Sequence, residues 1–210
     1  VDTAESPDSE RQRQTARVFN VIEDANRVIT SGTARVTDIV QRLRSFARLD
    51  EAEFESVDIH DGIEDTLMLV QHELKHKAVV KRRYGDLPPI LCNPRQLNQV
   101  YLNLIINAAQ AIEGQGTITI ATCRKGDEAH VQISDTGHGI PEESLQRIFD
   151  PGYTTKGVGV GTGLGLSICY QILETHRGDI LVESEVGRGT SFTVVLPMTL
   201  TESDYRARAA

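Results

Sequence analysis

Gly161-Thr162-Gly163-Leu164-Gly165-Leu166 is the stretch from which the rest of this chain can be read. Three glycines at alternate positions cannot pack a core. Leu164 then opens an apolar helical pattern that runs to His176 and stops at Gly178. A glycine-rich segment leading into a helix offers backbone N–H groups and a positive helix end to phosphates. Residues 150–162 as a whole are rich in Gly and Thr, including Gly157 and Gly159, and read as a lid. Lys156 would add positive charge there. The lid is not a dinucleotide loop, because no G-x-G-x-x-G register fits and no apolar strand precedes it. It also lacks the Gly-Lys-Ser/Thr of a P-loop. A flexible linker would share this composition, so the lid alone decides nothing.

Upstream, Asp135-Thr136-Gly137-His138-Gly139 follows an apolar strand pattern, Ala129, Val131 and Ile133. A carboxylate at such a strand end can accept an adenine amino group while the glycines let the base approach. A plain β-turn aspartate is the alternative. Further upstream, Asn103 and Asn107 are four residues apart and share one helix face. Their neighbours Leu102, Leu104, Ile105 and Ile106 are expected to be buried, so the amides need partners. A hydrated Mg²⁺ with its phosphates would supply one, and solvent would be the ordinary alternative. In this order the three pieces describe one ATP site.

The remaining elements follow from pattern. The spacing predicts a short strand at Val57-Asp58-Ile59 and a helix over 60–76 carried by Ile63, Leu67, Val70 and Leu74. It predicts a strand at Val79–Tyr84 and a turn at Asp86-Leu87-Pro88-Pro89. Pro94 fits the first turn of a helix running to about Glu113. Hairpins are expected at Lys125-Gly126-Asp127 and Gly187-Arg188-Gly189. The fold class expected is α/β, a two-layer sandwich with helices on one face of a mixed, largely antiparallel sheet. Ahead of it, Val18, Ile22, Ala25, Ile29, Gly32, Val36, Ile39, Leu43 and Phe46 alternate four and three apart, the seam of a long bundle or coiled-coil helix. The organisation read is a polar tail at 1–14, this helix at 15–50, a catalytic domain at 57–197 and a polar tail at 198–210.

Bulk composition fits a globular protein of 210 residues, 39% apolar and 25% charged. A net charge of −8 argues against nucleic acid as a partner. No apolar run approaches a membrane span, and no signal peptide is visible. The chain starts at Val1 and holds only Met68 and Met198, which reads as a fragment whose parent could carry a membrane anchor. Cys92, Cys123 and Cys169 have no CxxC spacing and suit a reducing cytoplasm.

Five stretches together resemble the N, G1, F, G2 and G3 boxes of sensor histidine kinases, members of the Bergerat-fold ATPases. They are Asn103 to Ala111, Asp135 to Gly139, Ile148-Phe149-Asp150-Pro151, Gly161 to Ser167, and Gly187-Arg188-Gly189-Thr190. The resemblance covers about 57–197. It implies Asn107 as Mg²⁺ ligand with Asn103 nearby, and Asp135 on adenine with Gly137 and Gly139 lining the base. It implies Gly161, Thr162, Gly163, Leu164 and Gly165 over the phosphates and Thr190 near the adenine; Lys156, by its charge beside the lid, is read as assisting catalysis with Asn107. Gly152 stands where relatives often have an aromatic. Residues 34–50 look like the end of the second helix of the family's dimerisation hairpin. The activity implied for the parent is histidine autophosphorylation by Mg·ATP, then phosphotransfer to a response regulator aspartate, with a homodimer formed through 15–49. Related alternatives are a Bergerat-fold serine kinase and a non-catalytic interaction module.

The family's phosphoacceptor helix, His-Glu/Asp with a proline five residues on, has no counterpart in these residues. His60-Asp61-Gly62 looks like the acceptor box of another subfamily, but Asp65 stands where glutamine is usual, and His60 opens a helix of the ATPase domain itself. His72-Glu73-Leu74-Lys75-His76 is formally a zinc motif. Helical phase puts both histidines opposite the apolar stripe, on a solvated face. His130 and His176 are expected at the surface, and His138 in the adenine turn without an acid–base role.

Overall fold

The computed structural model describes residues 54–155 and 162–199. The long helix at 15–50, the polar tail at 1–14, the second tail from residue 200 onward, and Lys156, Gly157, Gly159 and Gly161 lie outside the described residues. Arg48–Ala210 forms one compact unit.

Within it, β1 (Glu55–Val57) leads into α1 (Ile59–Leu69) and the short α2 (Gln71–Leu74). Next come β2 (Ala78–Arg83), β3 (Ile90–Cys92) and α3 (Pro94–Ala111). A hairpin of β4 (Gly116–Lys125) and β5 (Glu128–Asp135) follows, then α4 (Glu142–Leu145) and α5 (Gly165–Thr175). The hairpin of β6 (Asp179–Glu185) and β7 (Gly189–Pro197) ends the domain. The main sheet has the order β2-β4-β5-β7-β6; β2 runs parallel to β4, and every other pairing is antiparallel. A separate antiparallel pair joins β1 to β3.

This is the expected two-layer sandwich, and its cause is visible in the burial. On β4 the alternate residues Ile118, Ile120 and Thr122 are buried, and Ile133 and Val131 do the same on β5. They face Leu104, Ile105 and Tyr101 of α3, all at most 1% exposed. Burying each such large apolar side chain stabilises the fold by roughly 1.5–3 kcal/mol.

The helix ends are chemically set. Asp58 is the N-cap of α1, its side chain accepting from His60 N at 2.9 Å. The strand expected through Ile59 therefore stops at Val57. The single helix expected over 60–76 is two, because Val70 leaves helical geometry (φ −95°, ψ 8°). Val70 and Leu74 are still buried, as their spacing implied. Asn93 caps α3 by accepting from Gln96 N at 3.2 Å, and Pro94 opens the helix as expected. The helix stops at Ala111, because the chain extends at Ile112 to bury that side chain.

Two histidines correct the sequence reading. His176 is 1% exposed and His130 is 7% exposed. His176 Nδ1–H donates to Ile172 O at 2.7 Å, and its Nε2 accepts from Asn93 N at 3.0 Å. Both ring nitrogens are satisfied inside the core, so burial costs little for the neutral ring. His130 bonds through Nε2 to Glu128 at 3.1 Å. His72 and His76 lie on the exposed face, as helical phase predicts.

Candidate functional site

Asp135 closes β5 with 9% of its surface exposed. Its Oδ1 accepts from Gly137 N at 2.7 Å and from Thr190 N at 3.4 Å. Among the described residues no hydrogen bond reaches Oδ2, which leaves one anchored oxygen and one acceptor. Burial pushes the carboxyl above the usual aspartate range; the Gly137 and Thr190 amides and nearby His138 pull partly the other way.

The turn after Asp135 is held from both sides. His138 N donates to Ala111 O at 3.0 Å, tying it to the end of α3. A Cβ on Gly137 would sit 2.6 Å from that carbonyl oxygen. Gly187 N donates to His138 O at 2.9 Å, tying the turn to the β6–β7 hairpin. Gly139 has φ +74°, and a Cβ there would run into the Glu185 carbonyl. The glycines are thus required where backbone meets backbone.

Thr190 is 5% exposed and pairs across the hairpin with Ser184, their hydroxyls 2.9 Å apart. Ser184 Oγ also accepts from Ile140 N at 2.7 Å. Ser184 thereby links the Asp135 anchor to the chain leaving the turn. Sequence reasoning missed it; its only signal was its place opposite Thr190 across the Gly187 turn.

Asn103 and Asn107 share a face of α3, but their surroundings differ. Asn103 is 3% exposed, and its amide donates to Gly165 O at 3.1 Å and lies 3.7 Å from Cys169 Sγ. Its Oδ1 accepts from Gln99 Nε2 at 3.2 Å. The side chain fastens the start of α5 to α3. Asn107 lies one turn on and is half-buried.

At the far end of the lid, Gly163 has φ +68°, and a Cβ there would collide with the Gly152 backbone. Gly152 N donates to Gly163 O at 3.1 Å. Gly152 therefore makes a backbone clasp with Gly163. Thr162 Oγ1 accepts from Leu164 N at 3.5 Å. Leu164, at the N-cap of α5, supplies no side-chain cap, so the first-turn amides of an 11-residue helix are left to another acceptor. Arg147 stacks on Tyr153, 4.7 Å from its ring centre, and Tyr153 Oη donates to Ser144 Oγ at 2.9 Å.

The residues present fit an adenine nucleotide with Mg²⁺. Asp135 Oδ2 and the two glycine turns suit the base, and the start of α5 suits anionic oxygens. Mg²⁺ keeps waters and phosphate oxygens, so a single amide oxygen such as that of Asn107 is a sufficient protein donor. Among the described residues no group of three or more His, Cys, Asp or Glu is placed to hold a metal, and His72 and His76 are both exposed.

Residues 92–200 match the family described as histidine kinase-, DNA gyrase B-, and HSP90-like ATPase. The chain belongs to that family. Within it, the chain has the catalytic ATPase domain of sensor histidine kinases. It is 37% identical over 183 residues to sporulation kinase E of Bacillus subtilis (strain 168), covering 85% of this chain and 24% of that protein. The catalytic domain of histidine kinase ThkA superposes with a TM-score of 0.63 at 30% identity, over 70% of this chain and 98% of that one. ThkA in complex with response regulator protein TrrA gives 0.68 at 27% identity, over 82% and 50%. The chain spans about 20 to 40% of the length of the curated relatives it matches. No helix among the described residues is long and apolar enough to cross a membrane.

Proposed function

We propose that this domain binds Mg·ATP and presents the γ-phosphate to a histidine carried elsewhere in the whole protein, which then passes the phosphoryl group to a response regulator aspartate. The observation that carries the nucleotide reading is the divided Asp135 carboxylate, with Oδ1 held by two backbone amides and Oδ2 without a partner among the described residues. In this reading Oδ2 accepts the adenine amino group, over a floor of Gly137 and Gly139. Thr190 and Ser184 hold that carboxylate in place. Asn103 positions the start of α5 rather than touching the metal.

Mg²⁺, when bound, neutralises phosphate charge, and Asn107 is the residue here that would hold it. Phosphoryl transfer asks little covalent chemistry of the ATP side, so positioning and charge stabilisation are this chain's contribution. Gly163, Leu164 and Gly165 offer amides to the phosphates; Lys156, Gly161 and Thr162 are assigned to the same lid from the sequence. The response regulator as partner is supported by ThkA, whose structure holds one. The apolar seam from Val18 to Phe46 is the proposed homodimer contact, on sequence grounds alone.

Titrating ATP with Mg²⁺ and with EDTA tests the metal assignment. Removing Mg²⁺ should weaken ATP binding by the wild-type chain and have little further effect on Asn107→Ala. The same Mg²⁺ dependence in both proteins would remove Asn107 from the role.

A further inference from the structure

The two edges of the main sheet carry opposite charge. β2 and β6 end it, and neither has a second strand partner among the described residues. Val80 and Val182 pair with the buried Ile118 and Phe192, so they lie on the helix side. The alternate side chains of each edge strand lie on the other face of the sheet. On β2 these are Val79, Lys81 and Arg83, and on β6 Asp179, Leu181 and Glu183, all exposed. The apolar pair is well exposed, Val79 at 64% and Leu181 at 50%. Arg82, on the helix side, pairs with Glu64, whereas Lys81, Arg83 and Glu183 have no ion-pair partner among the described residues.

The backbone at both edges is turned for pairing. Lys77 O accepts from Gly116 N at 2.8 Å, and Gly85 N donates to Thr122 O at 2.9 Å. Odd-numbered residues of β2 therefore direct their polar groups at β4, and even-numbered ones direct theirs outward. On β7, Thr190 N and Met198 N reach to the β5 side. Odd-numbered residues of β7 thus bond the odd-numbered residues of β6 opposite them, which leaves Ile180 and Val182 turned to the free edge. Ile180 N donates to the side chain of Asp179 at 2.7 Å, a carboxylate standing where a neighbouring strand's carbonyl would.

We infer that β2 of one copy of this chain adds to β6 of a second copy, joining domains head to tail through a continuous sheet. β2 and β6 run in opposite directions within the sheet. A copy displaced along the sheet, helices on the same side, therefore brings its β2 antiparallel to β6. With β2 laid along residues 179–184, the outward-turned Val80 and Arg82 meet the outward-turned Val182 and Ile180 as hydrogen-bonded pairs. On the other face Arg83 falls opposite Asp179, Lys81 lies between Asp179 and Glu183, and Val79 and Leu181 are diagonal neighbours. Like edges cannot pair this way. They would set cations against cations or carboxylates against carboxylates, which opposes a closed two-fold sheet dimer. The contact is one strand wide, so the association is weak and concentration-dependent.

The test is sedimentation velocity of the 210-residue chain at rising concentration, in low and high salt, with ATP affinity measured in parallel. The mass should grow past that of a dimer as concentration rises and fall back as salt is added. Lys81→Glu/Arg83→Glu makes both edges acidic, and Asp179→Lys/Glu183→Lys makes both basic. Each variant alone should associate roughly fivefold or more weakly than the wild type, with ATP affinity unchanged. An equimolar mixture of the two should recover association beyond the dimer, because every β2 edge again meets a β6 edge of opposite charge. Misfolding of either variant would not be rescued by mixing. A mass that stops at the dimer in the wild type overturns the inference. Growth that neither variant alters, or a mixture that behaves as its two components do alone, places the contact elsewhere and also overturns it.

Discussion

The backbone N–H of Asn93 donates to Nε2 of His176, 3.0 Å away and 83 residues later in the chain. That bond joins the N-cap of α3 to the C-cap of α5, the two helices that carry the amides and glycines of the nucleotide site. It exists only while the ring is neutral, since Nδ1 already donates to Ile172 O.

Burial lowers the His176 pKa from its ordinary value of about 6.5. The unfolded chain therefore takes up the proton first as pH falls. Stability is full above about pH 6.5 and declines below it as the folded pKa is approached. Chemical denaturation of the wild type and His176→Gln between about pH 5 and 7.5 should show a shallower pH slope in the variant. Equal slopes would contradict the assignment.

Gly139→Ala and Gly126→Ala separate backbone strain from collision. Both glycines have positive φ, +74° and +62°. A Cβ on Gly126 meets nothing within 4 Å, whereas one on Gly139 meets the Glu185 carbonyl. Gly126→Ala should cost about 1–2 kcal/mol from strain alone. Gly139→Ala should cost more than that and weaken ATP binding as well, measured by urea denaturation and calorimetry.

Acidification should move ligand-free stability and ATP affinity in opposite directions at Asp135. Its folded pKa is raised, chiefly by burial. The folded state then binds the proton more readily than the unfolded chain, so this group's contribution to stability rises as pH falls through the raised value. A protonated Oδ2 is a donor facing the adenine amino donor, so affinity falls over the same range. Comparing wild type with Asp135→Asn isolates the effect, because the variant should lack this component of both pH dependences.

The chain should not label itself with γ-labelled ATP at His60. Nδ1 of His60 lies 2.8 Å from Asp58 Oδ1, and Nε2 pairs with the Thr122 hydroxyl at 2.9 Å. Neither nitrogen is presented for attack. Acid-labile label mapped to His60 by mass spectrometry would overturn this.

Much of the fold was legible because its signals are local. Alternation at Ile118, Ile120, Val131 and Ile133 predicted the central hairpin, and Pro94 marked the start of α3. Boundaries at Val57 and Val70 were misread where a capping Asp58 and a backbone break, not apolar spacing, set the limits. His176 looked superficial because its partners, Asn93 and Ile172, include one 83 residues away. Asn103 and Asn107 looked equivalent by phase, and only tertiary contact with Gly165 sets Asn103 apart. Ser184 acts through Thr190 and Ile140, a relation set by strand register, which no spacing rule exposes.

Calorimetric titration of ATP into the wild type and Asp135→Asn tests the nucleotide site most directly. In the variant the remaining amide oxygen must still serve Gly137 N and Thr190 N, so the amide NH₂ would face the adenine amino group, donor against donor. The account predicts a loss of about 1–3 kcal/mol in binding free energy with the fold retained. Equal ATP affinity in the two proteins would contradict it.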